Sequence, residues 1–92
     1  MRSAGMRPSL NIVGAGHVGR ALGRVFAARG VWTVQDVLTR SQAGAQAACA
    51  FIGAGEPVDA LGWMRPADVW MLTVSDDRIG AVAAALAQAH DV

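Results

Sequence analysis

Lysine is missing from this 92-residue chain, cysteine occurs once, and no apolar run is long enough to span a membrane. Without lysine, Schiff-base chemistry and a lysine-dependent phosphate loop are both excluded. A single cysteine, Cys49, rules out an intrachain disulfide and a cysteine-rich metal site. Its apolar neighbourhood predicts a reduced, buried thiol rather than a nucleophile. His17 and His90 make no metal-ligand spacing with the acidic residues, so no metal is expected. Blocks of like charge are also lacking. Eight basic residues, all arginine, face seven acidic ones for a net charge of +1, which leaves no electrostatic footprint for nucleic acid or a membrane surface. One small anion held by backbone amides and an arginine remains compatible with that balance. The opening "MRSAGMRPS" is basic but has no apolar stretch suited to secretion, so a cytoplasmic location is the expectation.

With 53% hydrophobic and 16% charged residues, the chain has material for a core and is unlike a disordered tail. Its length suits one domain with a limited core. Residues 1–8 read as a flexible leader and 9–92 as the folded domain. "LNIVG" is a short strand, apolar enough for burial on both faces of a parallel sheet. "HVGRALGRVFAARG" then switches to helical spacing: Val18, Leu22, Val25 and Phe26 share a face, Arg20, Arg24 and Arg29 point outward, and Gly30 ends the helix. A β-rich segment follows at 31–39, with its ladder at Val34 to Leu38. Asp36 is awkward there, because a carboxylate in a central strand must find a donor or lie near a crevice.

Ser41 can cap a second helix reaching about Ala48, and "CAFIG" reads as a third strand. "AGEPVDALGWMRP" reads as a turn with one brief helical segment, ended by Pro66. "ADVWMLTV" is a fourth strand, and Ser75 or Asp76 caps a last helix whose buried stripe is Ile79, Val82, Ala83 and Leu86. Trp63 and Trp70 are assigned to packing. The order β-α-β-α-β-(short α)-β-α specifies an α/β fold, a parallel sheet with helices on both faces joined by right-handed crossovers. No internal repeat or linker interrupts it.

Gly14, Gly16 and Gly19 form G-x-G-x-x-G between the first strand and the first helix. In that setting the first glycine permits a tight turn, the second leaves room for a pyrophosphate, and the third lets the helix approach the strand. Amides around Ala15 to Val18, with the positive helix end, can receive phosphates. A purely structural turn is the competing reading. His17 can contact phosphate or ribose, or simply face water, and is assigned no catalytic role.

An acid that binds the adenosine ribose is expected roughly 20 residues past such a turn. Thr39, Arg40 and Ser41 stand there without a carboxylate. Arg40 can present a planar fork to a 2′-phosphate and Ser41 a hydroxyl or amide, which favours NADP over NAD. Asp36 would return as a ribose ligand if the strand ended earlier, and Arg40 would then be a solvated strand terminus. Thr73, Val74 and Ser75, at the carboxyl end of the fourth strand, are placed beside the cofactor, or else merely end a strand and begin a helix.

"LNIVGAGHVGRALG", "VLTRS" and "ADVWMLTVSDD" together resemble the N-terminal Rossmann-like domain of NADP-dependent reductases related to pyrroline-5-carboxylate reductase and the coenzyme-F420-dependent NADP oxidoreductases. The resemblance covers residues 9 to 89. It implies that Gly14, Gly16 and Gly19 are the family glycines, with Ala15, His17 and Val18 between them. It puts Thr39, Arg40 and Ser41 at the 2′-phosphate end of strand two, and Thr73, Val74 and Ser75 beside the cofactor. Ser75 stands where proline is frequent. The family adds a C-terminal helical domain that completes the substrate cleft and assists dimerisation. This chain lacks it, so a partner domain or a homo-oligomer is expected. A full-length protein of this type passes hydride between NADPH and a small carbonyl or imine, and the present chain alone would be inactive. A noncatalytic nucleotide-sensing or assembly domain on the same fold is the alternative.

Overall fold

Four short parallel strands form one sheet in the order β3-β2-β1-β4. The computed structural model describes residues 8–14, 17–30, 32–74 and 76–90, the side chains at 17, 18, 20 and 76 excepted. Along the chain these are β1 (Ser9–Val13), α1 (His17–Arg29), β2 (Thr33–Leu38), α2 (Gln42–Ile52), β3 (Glu56–Val58), a single 3₁₀ turn (Leu61–Trp63), β4 (Val69–Leu72) and α3 (Asp76–Ala89). Right-handed crossovers place α1 and α2 on one face of the sheet, and the 3₁₀ turn and α3 on the other. This single α/β domain with helices on both faces is the architecture expected from the sequence. Residues 1–7 of the expected leader lie outside the described residues. Pro8 already belongs to the fold, its carbonyl accepting the Thr33 N–H at 2.8 Å.

The core joins Leu10 and Ile12 of β1, Val34 and Val37 of β2, and Ala48 and Ile52 of α2, with Phe26 and Trp32, edge to face with each other, packed against it. Val34 and Val37 would point to opposite faces of a regular strand. A register irregularity between Leu10 and Ile12 corrects this: Leu10 pairs with Val34 but Ile12 with Val37, so β2 carries one extra residue. Both valines consequently line one side, and a Cβ added to Gly55 would meet each of them at 3.1 Å. The N–H of Asp36, displaced from the ladder, donates to Asn11 Oδ1 at 3.1 Å.

Several expectations need correction. "CAFIG" is not a strand: Cys49 to Ile52 complete α2, and Gly53 ends it in the left-handed region with φ 85°, its N–H donating to Cys49 O. Ala45, Ala48 and Ile52 all turn to the core at helical spacing, and alanine-rich sequence favours the helix. The third strand falls instead at Glu56–Val58, inside the segment read as a turn, where Pro57 is tolerated because β3 is an edge.

The helix stripes also differ. On α1, Leu22 and Val25 are exposed, and the line facing the sheet is Gly19, Gly23 and Phe26. Glycine brings the helix so close that larger neighbours on the flank are left outside. On α3, Leu86 is buried and Val82 half-buried, but Ile79 and Ala83 are exposed. The helix covers β4 and the 3₁₀ turn at the margin of the sheet, where among the described residues no strand lies beyond β4. Trp63 is 75% exposed rather than packed, whereas Trp70 is half-buried against the His90 ring. His90 Nε2 donates to Leu61 O at 2.7 Å and so ties the end of α3 to the 3₁₀ turn.

Candidate functional site

The chain reverses direction across the sheet between β1 and β4: β2 and β3 are added on one side of β1, and β4 on the other. Open parallel sheets bind ligands outside the strand carboxyl ends at such a point. Gly14 sits there. It leaves β1 with φ 83°, and its N–H donates to Leu38 O at 2.6 Å, closing the turn onto the end of β2. A Cβ at Gly14 would collide with Val74 Cγ1 and lie 3.0 Å from Thr73 O. A side chain is therefore refused both by the backbone conformation and by the space.

Gly19, in the first turn of α1, lies against the end of β4: a Cβ there would strike Thr73 Oγ1. That hydroxyl donates to Gly14 O at 2.9 Å, while the Thr73 N–H donates to Val13 O at 2.9 Å. Thr73 thus clips β4 to the glycine turn and has its polar atoms occupied by backbone. Ala15, Gly16 and Ser75 lie outside the described residues, as do the side chains of His17 and Val18.

At the end of β2, Ser41 caps α2, its Oγ accepting the Gly44 N–H at 3.0 Å. Thr39 Oγ1 donates to Ser41 O at 2.7 Å and fixes the same corner. Both hydroxyls are thereby committed to the turn, and Arg40 between them is exposed. Among the described residues Arg40 has neither an ion pair nor a hydrogen bond.

A cavity of about 260 Å³ joins these elements, with Gly14, Thr39, Arg40 and Val74 on its wall together with Val13 and Leu38. Four of the twelve residues singled out in the sequence therefore share one cavity. Its opposite side is built by Leu61 and by Arg78, Ala81, Val82 and Ala85 of α3. The sequence reading missed this wall. Arg78, Val82 and Ala85 share helical spacing on α3, but that they face the end of β2 follows only from the assembled sheet.

Asp36 lies apart from this cavity. Its carboxylate is 1% exposed and accepts the Arg65 N–H at 2.7 Å and the Arg65 guanidinium, whose Nη2 is 2.7 Å from Oδ1. Asn11 Nδ2 donates to Arg65 O at 2.6 Å, and Gln35 Nε2 donates to Asn11 Oδ1 and Pro66 O. This network pins the segment before β4 to the bulge in β2. The side-chain hydrogen bond to Asp36, and then the charge of Asp36, raise the Arg65 pKa above its ordinary value. The donor that a strand carboxylate requires is thus Arg65, and Asp36 is not available to a ribose.

Cys49 is half-buried beside the core, and burial pushes its thiol pKa up, with the charges of Glu56 and Asp36 adding to the effect. The proton stays on the sulfur, the opposite of what a nucleophile needs. Among the described residues no cluster of three or more His, Cys, Asp or Glu side chains could hold a metal ion, and no helix is long and apolar enough to cross a membrane.

Residues 2–92 match the family model described as the Rossmann-like domain. The chain belongs to that family. No curated protein matches it. Among solved structures it resembles a Bacteroides fragilis protein titled a "putative NADP oxidoreductase", with TM-score 0.78 and 18% identity over 90% of this chain and 32% of that one. It also resembles the lactate dehydrogenase of Eimeria maxima, solved with NADH and oxamate, with TM-score 0.57 and 14% identity over 90% of this chain and 30% of that one. The Rossmann-like chain thus spans about a third of each of these oxidoreductases. At such identities the likeness is one of fold, and it does not single out the pyrroline-5-carboxylate reductase or F420-dependent branches.

Proposed function

We propose that this chain is the NADP(H)-binding domain of an oxidoreductase that passes hydride to or from a small carbonyl or imine compound. The observation that carries the reading is the cavity at the strand carboxyl ends, whose wall joins the side-chain-refusing Gly14 turn to Arg40, a cation without a partner among the described residues. At Gly14 and Gly19 an added Cβ would meet Val74 and Thr73, so the two glycines let the turn and the start of α1 close against the end of β4, as a dinucleotide-binding turn requires. The residues present therefore suit a dinucleotide, whose nicotinamide supplies the hydride chemistry when bound. In this reading the turn after β1, including Ala15, Gly16, His17 and Val18, receives the pyrophosphate. Arg40 presents its guanidinium to a 2′-phosphate. Ser41 and Thr39 hold the corner that aims Arg40, and Val74 with Ser75 borders the route toward the nicotinamide.

The removal of Asp36 from contention favours NADP over NAD, because a ribose-binding acid would repel a 2′-phosphate. In this reading substrate contacts and the proton donor come from a second domain or a partner copy, in keeping with a chain that spans about a third of each of those oxidoreductases. Parallel calorimetric titrations with NADPH and NADH at matched ionic strength, on wild type and Arg40→Ala, test the proposal. Tighter binding of NADPH, lost selectively by about tenfold or more in Arg40→Ala, is the expected result. Equal losses for both cofactors would overturn the 2′-phosphate assignment, and binding of neither would overturn the cofactor role of this chain.

A further inference from the structure

Arg78 stands in the first turn of α3, exposed, and lines the same cavity as Arg40 although the two come from opposite sides of the sheet's midline. Like Arg40, it has no ion pair or hydrogen bond among the described residues. Arg65, by contrast, is spent on Asp36, and Arg24 lies over the Phe51 ring. Arg78 shares the first turn of α3 with Asp77, and it and Arg40 bring two positive charges without partners among the described residues to one cavity of about 260 Å³. An anion seated between them would be held by both. The rest of the wall does not suit a bare ion: Leu61, Val74 and Val82 offer an apolar surface of the kind that accepts a flat base.

We infer that Arg78 is a second specificity-determining residue, which together with Arg40 grips a phosphate monoester on the ribose of an adenosine whose base lies against the apolar wall. The inference rests on the dinucleotide reading above and adds a residue to it from the other half of the fold. Two planar forks approaching one phosphate from two elements give discrimination that a single solvated arginine does not.

Adenosine 2′,5′-bisphosphate and 5′-AMP, titrated in parallel by calorimetry, separate the monoester from the remainder of the nucleotide. The wild-type chain is expected to prefer the bisphosphate, and Arg78→Gln to lower that affinity about tenfold while leaving 5′-AMP within about twofold. Unchanged 5′-AMP binding also reports an intact fold. If Arg78→Gln binds the bisphosphate as wild type does while Arg40→Gln loses it, Arg78 has no such role and the dinucleotide reading stands. Equal loss of both nucleotides in Arg78→Gln would likewise overturn the assignment to the monoester. A wild-type chain that binds both nucleotides equally, or neither, removes the 2′-phosphate reading and the inference with it.

Discussion

Gly19 and Thr73 are in mutual contact across the switch point: the missing side chain of the one is the space occupied by the hydroxyl of the other. Because Thr73 Oγ1 also donates to Gly14 O, helix α1, strand β4 and the glycine turn meet in one place. Gly19→Ala is expected to destabilise the domain by about 1–3 kcal/mol through overpacking. In a Thr73→Ala background the hydroxyl is gone and only the Cβ of residue 73 remains, at 3.1 Å, so the same change should cost much less, the remaining crowding being offset by the roughly 1 kcal/mol by which alanine exceeds glycine in helix propensity. Urea unfolding of the four proteins in this double-mutant cycle measures the coupling. Additive effects would show that the two residues do not touch.

The buried Asp36 carboxylate serves the fold rather than a ligand. Asp36→Asn keeps its shape but removes the charge that draws in the Arg65 guanidinium, and the amide cannot accept at both positions. A loss of about 1–3 kcal/mol in unfolding free energy is expected, with the ratio of NADPH to NADH affinity unchanged. A shift in that ratio would return Asp36 to the cofactor site.

Much of this was legible because the signals are local. Gly14 and Gly19, the Ser41 cap and the apolar strands β1, β2 and β4 each depend on neighbours a few residues away, and each stands where expected. Asn11 was not legible. Nothing in "LNIVG" announces that its amide will fill the gap left by an extra residue in β2, a matter of two strands and a crossover segment meeting at Arg65. Arg78 was missed for the same kind of reason, since its relation to Arg40 exists only after the sheet is assembled. "CAFIG" failed differently. A short apolar run fits strand and helix alike, and only the preceding alanines, carrying the period onward to Ile52, decide between them.

The raised pKa of the Cys49 thiol has a consequence at alkaline pH. The folded protein holds this proton more tightly than the unfolded chain, so the thiol's contribution to stability is fully present below the unfolded thiol pKa. It declines once the unfolded state begins to ionise and is lost as pH rises through the folded value. Wild type should therefore lose stability above about pH 9 more steeply than Cys49→Ala, as followed by thermal unfolding across that range. Parallel curves for the two proteins would show that the thiol ionises equally in both states. The same burial predicts slow reaction with a thiol reagent at neutral pH, accelerated by urea.

The stripe of α1 gives the sharpest contrast between apolar character and burial. Val25 is 46% exposed, whereas a Cβ at Gly23 would lie 2.9 Å from Ile52 Cδ1 and 3.0 Å from Ile12 Cδ1. A count of apolar residues selects Val25 and passes over Gly23, yet it is the glycine that sets how near the helix lies to the sheet. Val25→Gln should accordingly change the unfolding free energy by no more than about 0.5 kcal/mol. Gly23→Val introduces two further methyl groups where one Cβ is already crowded, and should cost about 1–3 kcal/mol. Equilibrium unfolding in urea ranks the two. A larger loss at Val25 than at Gly23 would mean that α1 is rotated about its axis, with Leu22 and Val25 turned to the core as the spacing of apolar residues alone suggests.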